Sequence, residues 1–452
     1  MVHDRTGIPA PITAFFEQFH LGAALHQAGI RKRGGVSPRR LVLFLLGLVF
    51  TQRNFYRLLK QDPPDPAVPT KNTVYRFLNN PHYNWRRALL TISRAVIQWL
   101  TPLVDPARAP VLIIDDPLYD RHRSRKVELL AKVYDHVEHV YRWGFRLLTL
   151  GWSDGNTFVP VAFSLLSSEK AANRRQGVDP RLDKRTVGYR RRREGVQKAP
   201  VVVIQLLREA LAAGIPARYV LFDSWFAMPR LLRDIVADTS LHVVAMVKAM
   251  TTIRYTYRGR RYDLDAVYQA IRKRPGKARI LAEVVVELET QAGAQTVKLV
   301  FVRDRRKGAK RWLALITTDV TLAGDEVIRL YGKRWETEVF FRMAKSTLNL
   351  VREFQGRSYD QMVAHTTLVF LRYQLLAVAA RAESDARSIG TLFWATCEEV
   401  ADLRFLDAWH LLLEALRDAL SEELHLSPAQ LDRFLTAFFA RLPAPLRHKL
   451  AV

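Results

Sequence analysis

The chain has 452 residues, 49% of them hydrophobic, with 70 Lys and Arg against 44 Asp and Glu, a net charge of +26. That apolar content is enough for two or three domains with real cores, and it excludes a disordered chain. The positive excess contributes nothing to folding, since like charges repel, so it points to a polyanion, with nucleic acid the first candidate and an anionic membrane surface the second.

Met1 to Pro9 is polar and lacks the apolar run of a secretory leader. Residues 1–105 read as a helical, DNA-binding domain. Leu41 to Leu59 is expected as one helix. Its apolar stretch Leu41 to Phe50, ten residues between arginines, is too short for a bilayer and reads as buried, so no membrane association is expected. Thr70 is placed to cap a helix from Lys71 to Leu78, and Ala88 to Leu100 forms another. Polar and basic residues at the start of Lys71–Leu78 are the pattern of a DNA-recognition helix, and equally of any short packed helix.

From 106 the pattern changes to mixed α/β. Val111 to Ile114 is a buried strand ending in Asp115-Asp116-Pro117. Phe145 to Trp152 and Thr157 to Leu165 are strands joined by the turn Ser153-Asp154-Gly155-Asn156. The basic run Arg181 to Lys198, with Arg190, Arg191, Arg192 and Arg193, reads as a solvated loop or as a phosphate-contacting one. A helix from Val201 to Ala213, a strand from Arg218 to Phe222 ending at Asp223, a helix over Met228–Val236 and a strand from His242 to Lys248 complete a sheet covered by helices, through residue 248. Residues 249–318 are strand-rich, with strands expected over 252–257, 281–288, 296–303 and 312–318 and basic turns at 258–261 and 305–308. This segment reads as a β-rich insertion, after which 319–358 returns to the α/β domain. Residues 359–452 are helical, with the apolar spacing of a bundle, and hold the only cysteine, Cys397. One cysteine excludes a disulfide framework and fits a reducing, cytoplasmic setting. The histidines, His365 among them, have no metal-ligand spacing.

Two features carry chemistry. Tyr331, Arg334, Glu338 and Lys345 follow one another at steps of three, four and seven residues, which on a helix puts them within about a sixth of the circumference. A carboxylate, two cations and a phenol on one stripe suit an anionic substrate with a bound metal. Asp115 or Asp116 closes the first strand and Asp223 the fourth, where ligands of open α/β sheets collect. Three carboxylates that met there would repel one another, and one or two divalent cations would relieve this.

On these residues the chain resembles the DDE transposases of bacterial insertion-sequence family four, the relatives of the Tn-five and Tn-ten enzymes. Tyr331, Arg334, Glu338 and Lys345 match that family's Tyr-Arg-Glu-Lys signature at every spacing. The β insertion and Trp312 at the start of its last strand match as well. The resemblance implies an RNase H-like mixed sheet flanked by helices, with the β insertion and helical domains at both ends. It implies Asp116, Asp223 and Glu338 as metal-binding catalytic acids, with Asp115 as the alternative to Asp116. It also implies two Mg²⁺ (or Mn²⁺) ions per site, phosphate contacts from Tyr331, Arg334 and Lys345, and a base stacked on Trp312. Its partners would be double-stranded DNA, as transposon ends and target, and a second copy of the chain in the active complex. The activity implied is cut-and-paste transposition: nicking, a hairpin step and 3′-hydroxyl transfer into target DNA.

Overall fold

The computed structural model describes residues 10–51, 55–60, 68–105, 108–135, 140–275, 278–290, 293–304, 312–354, 356–381 and 428–443, together with 416, 420 and 426. The chain divides into two compact units, Met1–Ala386 and Arg387–Val452. In the second, helix Pro428–Arg441 is described. Cys397 and the basic turn expected at 305–308 lie outside the described residues.

The first unit opens with helices α1 (Ala10–Gln18), α2 (Leu21–Gln27), α3 (Pro38–Gly47), α4 (Phe55–Leu59), α5 (Lys71–Leu78) and α6 (Trp85–Leu100). The Ser37 side chain accepts the Arg40 N–H and Pro38 sits in the first turn, so α3 starts three residues before its apolar run. The single helix expected over Leu41–Leu59 is instead interrupted: α3 ends at Gly47, tightens into a 3₁₀ turn over Leu48–Thr51, and α4 begins at Phe55. Thr70 caps α5 by accepting the Thr73 N–H. That helix buries Val74, Phe77 and Leu78 and leaves Lys71, Asn72 and Arg76 exposed.

The strands are β1 (Val111–Asp115), β2 (Leu118–Asp120), β3 (Ala131–Asp135), β4 (Val140–Ser153), β5 (Phe158–Leu166), β6 (Tyr219–Phe222), β7 (His242–Val247), β8 (Tyr255–Tyr257), β9 (Arg260–Tyr262), β10 (Ile280–Thr290), β11 (Gly293–Arg303) and β12 (Trp312–Thr317). Between them lie α7 (Val187–Gly195), α8 (Ala199–Ala212), α9 (Pro229–Thr239) and α10 (Leu264–Ala270); α11 (Gly324–Gly332), α12 (Trp335–Ser346) and α13 (Tyr359–Ala380) follow. Among the described residues the strands form one sheet. Its centre runs β5-β4-β1-β6-β7, with β4 antiparallel to β5 and β1, while β6 is parallel to β1 and β7 to β6. That order and those directions make an RNase H-like core. β4 is long enough to pair lengthwise with two strands on each side, β1 then β2 on one edge and β5 then β3 on the other. Asp116 and Pro117 therefore sit at the gap between β1 and β2, where Pro117 supplies no N–H and its carbonyl accepts from Leu147 at 2.9 Å.

The insertion is built onto the same sheet. β12 pairs antiparallel with β7, and β11, β10, β8 and β9 extend the order outward. Helices α6, α8 and α13 pack on β5, and α9 and α11 on β7. α13, expected as the start of a separate helical segment, packs on α6, β5 and α3 within the first unit. Burial along it explains this: several of its polar side chains find partners inside the first unit. Arg372 pairs with Glu353 at 2.8 Å and donates to the Leu46 carbonyl at 3.2 Å, which ties the N-terminal helices to the segment before α13. No helix among the described residues is long and apolar enough to cross a membrane.

Candidate active site

Asp115 is the last residue of β1, and Asp223 follows the last residue of β6, the parallel neighbour of β1. Both acids therefore emerge at the same carboxyl edge of the sheet. Asp223 accepts the Trp225 N–H at 2.9 Å, which fixes the turn leaving β6.

The Tyr331–Lys345 stripe is carried by two helices, where one was expected. α11 ends at Gly332 and α12 begins at Trp335. Through the joint the backbone bonds run from residue i to i−3: Arg334 N–H to Tyr331, Glu336 to Lys333 and Thr337 to Arg334. This 3₁₀ tightening keeps the two helices nearly continuous, so Tyr331, Arg334 and Glu338 still face one another. The joint is pinned by Lys333, which is buried and donates to the carbonyls of Ala109 (2.7 Å) and Asp154 (3.2 Å). Ser153 donates to Glu336 at 2.7 Å beside it.

Arg334 is the hub. Its guanidinium donates to Glu338 Oε1 at 3.0 Å and stands 3.9 Å from Asp115 Oδ2. It lies 5.9 Å from the ring centroids of both Tyr331 and Trp335. The Asp223 and Glu338 charges act on Asp115 and on Tyr331 alike. Burial pushes the Asp115 carboxyl up to about 6, with the Arg334 charge pulling it back. Burial likewise raises the Tyr331 phenol. Lys345 is pushed down by burial, against the pull of Asp115, Asp135 and Asp120.

Asp116 points elsewhere. It forms an ion pair with Arg146 of β4, and burial, with Asp115 and Asp223 nearby, pushes it up to about 7. Arg146 in turn lies over the ring of Trp225, 5.4 Å from its centroid. This is what strand alternation dictates for neighbouring residues: one acid meets the Arg334 side and the other the β4 side. Of the sequence-expected acids, Asp115, Asp223 and Glu338 share one electrostatic neighbourhood around Arg334, while Asp116 joins it through Asp115 and Asp223.

Two other expectations meet a different placement. Arg191 and Arg192 belong to α7, not to a loop, and are 7% and 4% exposed. Arg191 pairs with Asp360 at 2.6 Å, and Arg192 with Glu128 at 2.5 Å and Asp360 at 2.8 Å. Buried and paired, they cannot reach a phosphate; Arg190 and Arg193 remain exposed. Trp312 is half-buried, its ring 4.9 Å from Tyr268 and 5.0 Å from Phe301 inside the insertion. Arg146, Trp225 and Lys333 were not singled out from the sequence. Trp225 lies two residues after Asp223, but that nearness alone does not mark it as part of the site.

The donor set fits a divalent cation. It offers hard carboxylate oxygens, and burial and mutual repulsion raise the proton affinity of Asp115 and Asp116, a penalty that a cation would remove. Among the described residues no three Asp, Glu, His or Cys side chains stand close enough to hold one ion as placed. Arg334 supplies the positive charge between Asp115 and Glu338.

A family model described as DDE superfamily endonuclease matches residues 39–309, which include Asp115, Asp116 and Asp223 and stop short of Tyr331 and Glu338. No curated protein matches the chain.

Proposed function

The chain belongs to the DDE superfamily endonucleases, enzymes that cut DNA with divalent metal ions, and within that family we propose that it is a cut-and-paste DNA transposase of an insertion sequence. The observation that carries this is the convergence of Asp115, Asp223 and Glu338 on Arg334, with Tyr331 and Lys345 beside them. It supports a phosphoryl-transfer site with a phosphate clamp on one flank.

In this reading Asp115, Asp223 and Glu338 hold Mg²⁺ or Mn²⁺. Asp115 is preferred to Asp116, which the resemblance favoured, because Asp115 is the acid facing Arg334 and in the reach of Glu338. Two bound ions would activate a water or 3′-hydroxyl and stabilise the leaving oxygen of an in-line displacement. The protein's own groups do the rest. Arg334 moves from the carboxylates to the scissile phosphate, where its planar donors fit two oxygens. Tyr331, kept protonated by burial, donates a hydrogen bond. Lys345 neutralises the adjoining phosphate. Asp116 holds Arg146 in place on the opposite flank. The hairpin step, transfer into target DNA and pairing with a second copy of the chain are parts of the same proposal.

The test uses purified protein, Mg²⁺ or Mn²⁺ and a labelled duplex carrying the element's own terminal repeat, on a denaturing gel. Wild type should nick at the repeat boundary and proceed to hairpin and joined products. Glu338→Gln and Asp115→Asn should lose at least about 10²-fold in rate, the scale of removing one preorganised electrostatic group. Asp116→Asn should keep measurable nicking. Metal-dependent nicking without joined product would reduce the reading to a plain nuclease. Binding without cleavage in either metal would sink it.

A further inference from the structure

Helices α11 and α12 cross the sheet. α11 packs on β7 and α12 on β5 and α13, so the pair passes from one side of β1 to the other. Lys333 follows α11 at the joint and sends its side chain inward, where the residue is 6% exposed. Its ammonium donates to the carbonyl of Ala109, two residues before β1, and to that of Asp154, just after β4. These two strand ends are neighbours in the sheet, since Val111 pairs with Ser153. Ser153 also donates to Glu336, one turn further along α12. Gly155 of the same turn makes room for the lysine: its φ is +90°, and a Cβ there would lie 2.9 Å from the Lys333 Cε.

A lysine is a costly residue to place here. Burial pushes its ammonium down to about 8, with Glu336 and Asp154 pulling it back. An apolar side chain would fill the space without that cost, as Val327, Leu330 and Phe340 do elsewhere on the two helices. What a charged donor adds is direction. Apolar contact is non-directional, whereas two bonds to fixed carbonyls hold one point of the helix pair against the ends of β1 and β4. The effect grows along α12. Glu338 and Lys345 stand five and twelve residues beyond Lys333, which is about 7.5 and 18 Å along a helix axis. A tilt of about 10° at the joint would carry them sideways by about 1.3 and 3 Å. Groups that must converge on one ion tolerate only about 0.5 Å.

We propose that Lys333 is a positioning residue: by holding the α11–α12 joint to the ends of β1 and β4 it sets the angle of α12, and so places Glu338 where it can share a divalent cation with Asp115 and Asp223. The proposal rests on the reading of those acids as a metal site, and its test separates the two. Mn²⁺ is titrated into the full chain without DNA, and the free ion is followed by electron paramagnetic resonance. The proteins are wild type, Lys333→Met, Glu338→Gln and the double variant. Lys333→Met keeps the apolar stem and removes the donor. It should weaken Mn²⁺ binding by about 10–100-fold, the scale of losing a group that orients a ligand. Glu338→Gln should weaken it as well. The double variant should bind no more weakly than Glu338→Gln alone, because a residue that acts through Glu338 then has nothing left to place. Ile92→Val, a buried change in α6, should lower the urea midpoint and leave Mn²⁺ affinity as in wild type, which separates positioning from a general loss of stability. Wild-type affinity in Lys333→Met, losses that multiply in the double variant, or an equal weakening in Ile92→Val would overturn the proposal. If Lys333→Met does not fold, Lys333→Gln, neutral and one atom shorter than lysine, is read by the same criteria. Binding weakened by Glu338→Gln but intact in Lys333→Met removes the proposal alone. No Mn²⁺ binding in wild type, or binding that Glu338→Gln leaves unchanged, removes the metal site and the proposal with it.

Discussion

Asp115 and Asp116 have carboxyls held up to about 6 and about 7, chiefly by burial, against 3.8 for the ordinary group. A raised carboxylate favours the protonated form in the folded state. Between the unfolded and folded values the native protein therefore holds more protons, and stability falls as pH rises through that window. Metal-free protein should be more stable near pH 4 than near pH 7.5 by an amount on the order of a few kcal/mol from this pair, since each tenfold gain in proton affinity on folding is worth about 1.36 kcal/mol. The check is a series of melting curves against pH. Asp115→Asn and Asp116→Asn should each flatten the fall, and added Mg²⁺ should raise the melting temperature more at pH 7.5 than at pH 5. At this scale the site was partly legible. The Tyr331, Arg334 and Glu338 spacing anticipated that these side chains meet around Arg334. Which of two adjacent acids faces Arg334 was not legible, because alternation says only that they diverge. Arg146 and Trp225 were not legible either, since their bearing on Asp116 depends on β4 and the turn after β6 meeting in space.

Among the elements, α7 shows how a charge run misleads. Arg190 to Arg193 reads as solvated because four arginines in a row exceed what a local partner could neutralise. The partners are distant in sequence: Glu128 before β3 and Asp360 at the start of α13. Helical spacing splits the run, with Arg191 and Arg192 facing inward and Arg190 and Arg193 outward. The two pairs of side chains should then answer differently to substitution. Arg192→Ala strands buried carboxylates and should cost about 3–5 kcal/mol in urea unfolding. Arg193→Ala should change stability by no more than about 0.5 kcal/mol, while weakening DNA binding and lowering its salt slope by about one. Most strands of the core and insertion were legible from apolar runs and turn residues, but β9 was not: it takes up Arg260 and Arg261 of the basic turn expected at 258–261. β2 and β3 were not: both are short, and both form only because β4 extends past β1 and β5 to pair with them. The joint at Lys333 was also hidden, although Gly332 lies beside it, because the 3₁₀ turn preserves the helical period closely enough for the stripe to look unbroken.

Over the whole molecule the dominant quantity is charge. With +26 spread across the chain, DNA binding should depend steeply on salt. Arg87, Arg94 and Arg190 line one open depression of about 670 Å³ at α6, α7 and α8, which also holds Arg86 and Arg191 and the carboxylates Glu194 and Glu209. For six to ten phosphate contacts the affinity should fall by about 10³–10⁵ between 50 and 200 mM salt. Fluorescence anisotropy across that range measures the slope directly, and a shallow slope would mean that few of these cations meet DNA. The sheet adds a constraint of a different kind. Because β12 hydrogen-bonds to β7, and β7 to β6, the insertion shares an unbroken lattice of backbone bonds with the strand that ends at Asp223. Nothing in that lattice acts as a swivel. Were DNA gripped by the outer strands β8 and β9, it would be held at a set span from the carboxylates, and the offset between the gripped bases and the bond at the acids would then follow from the strand spacing.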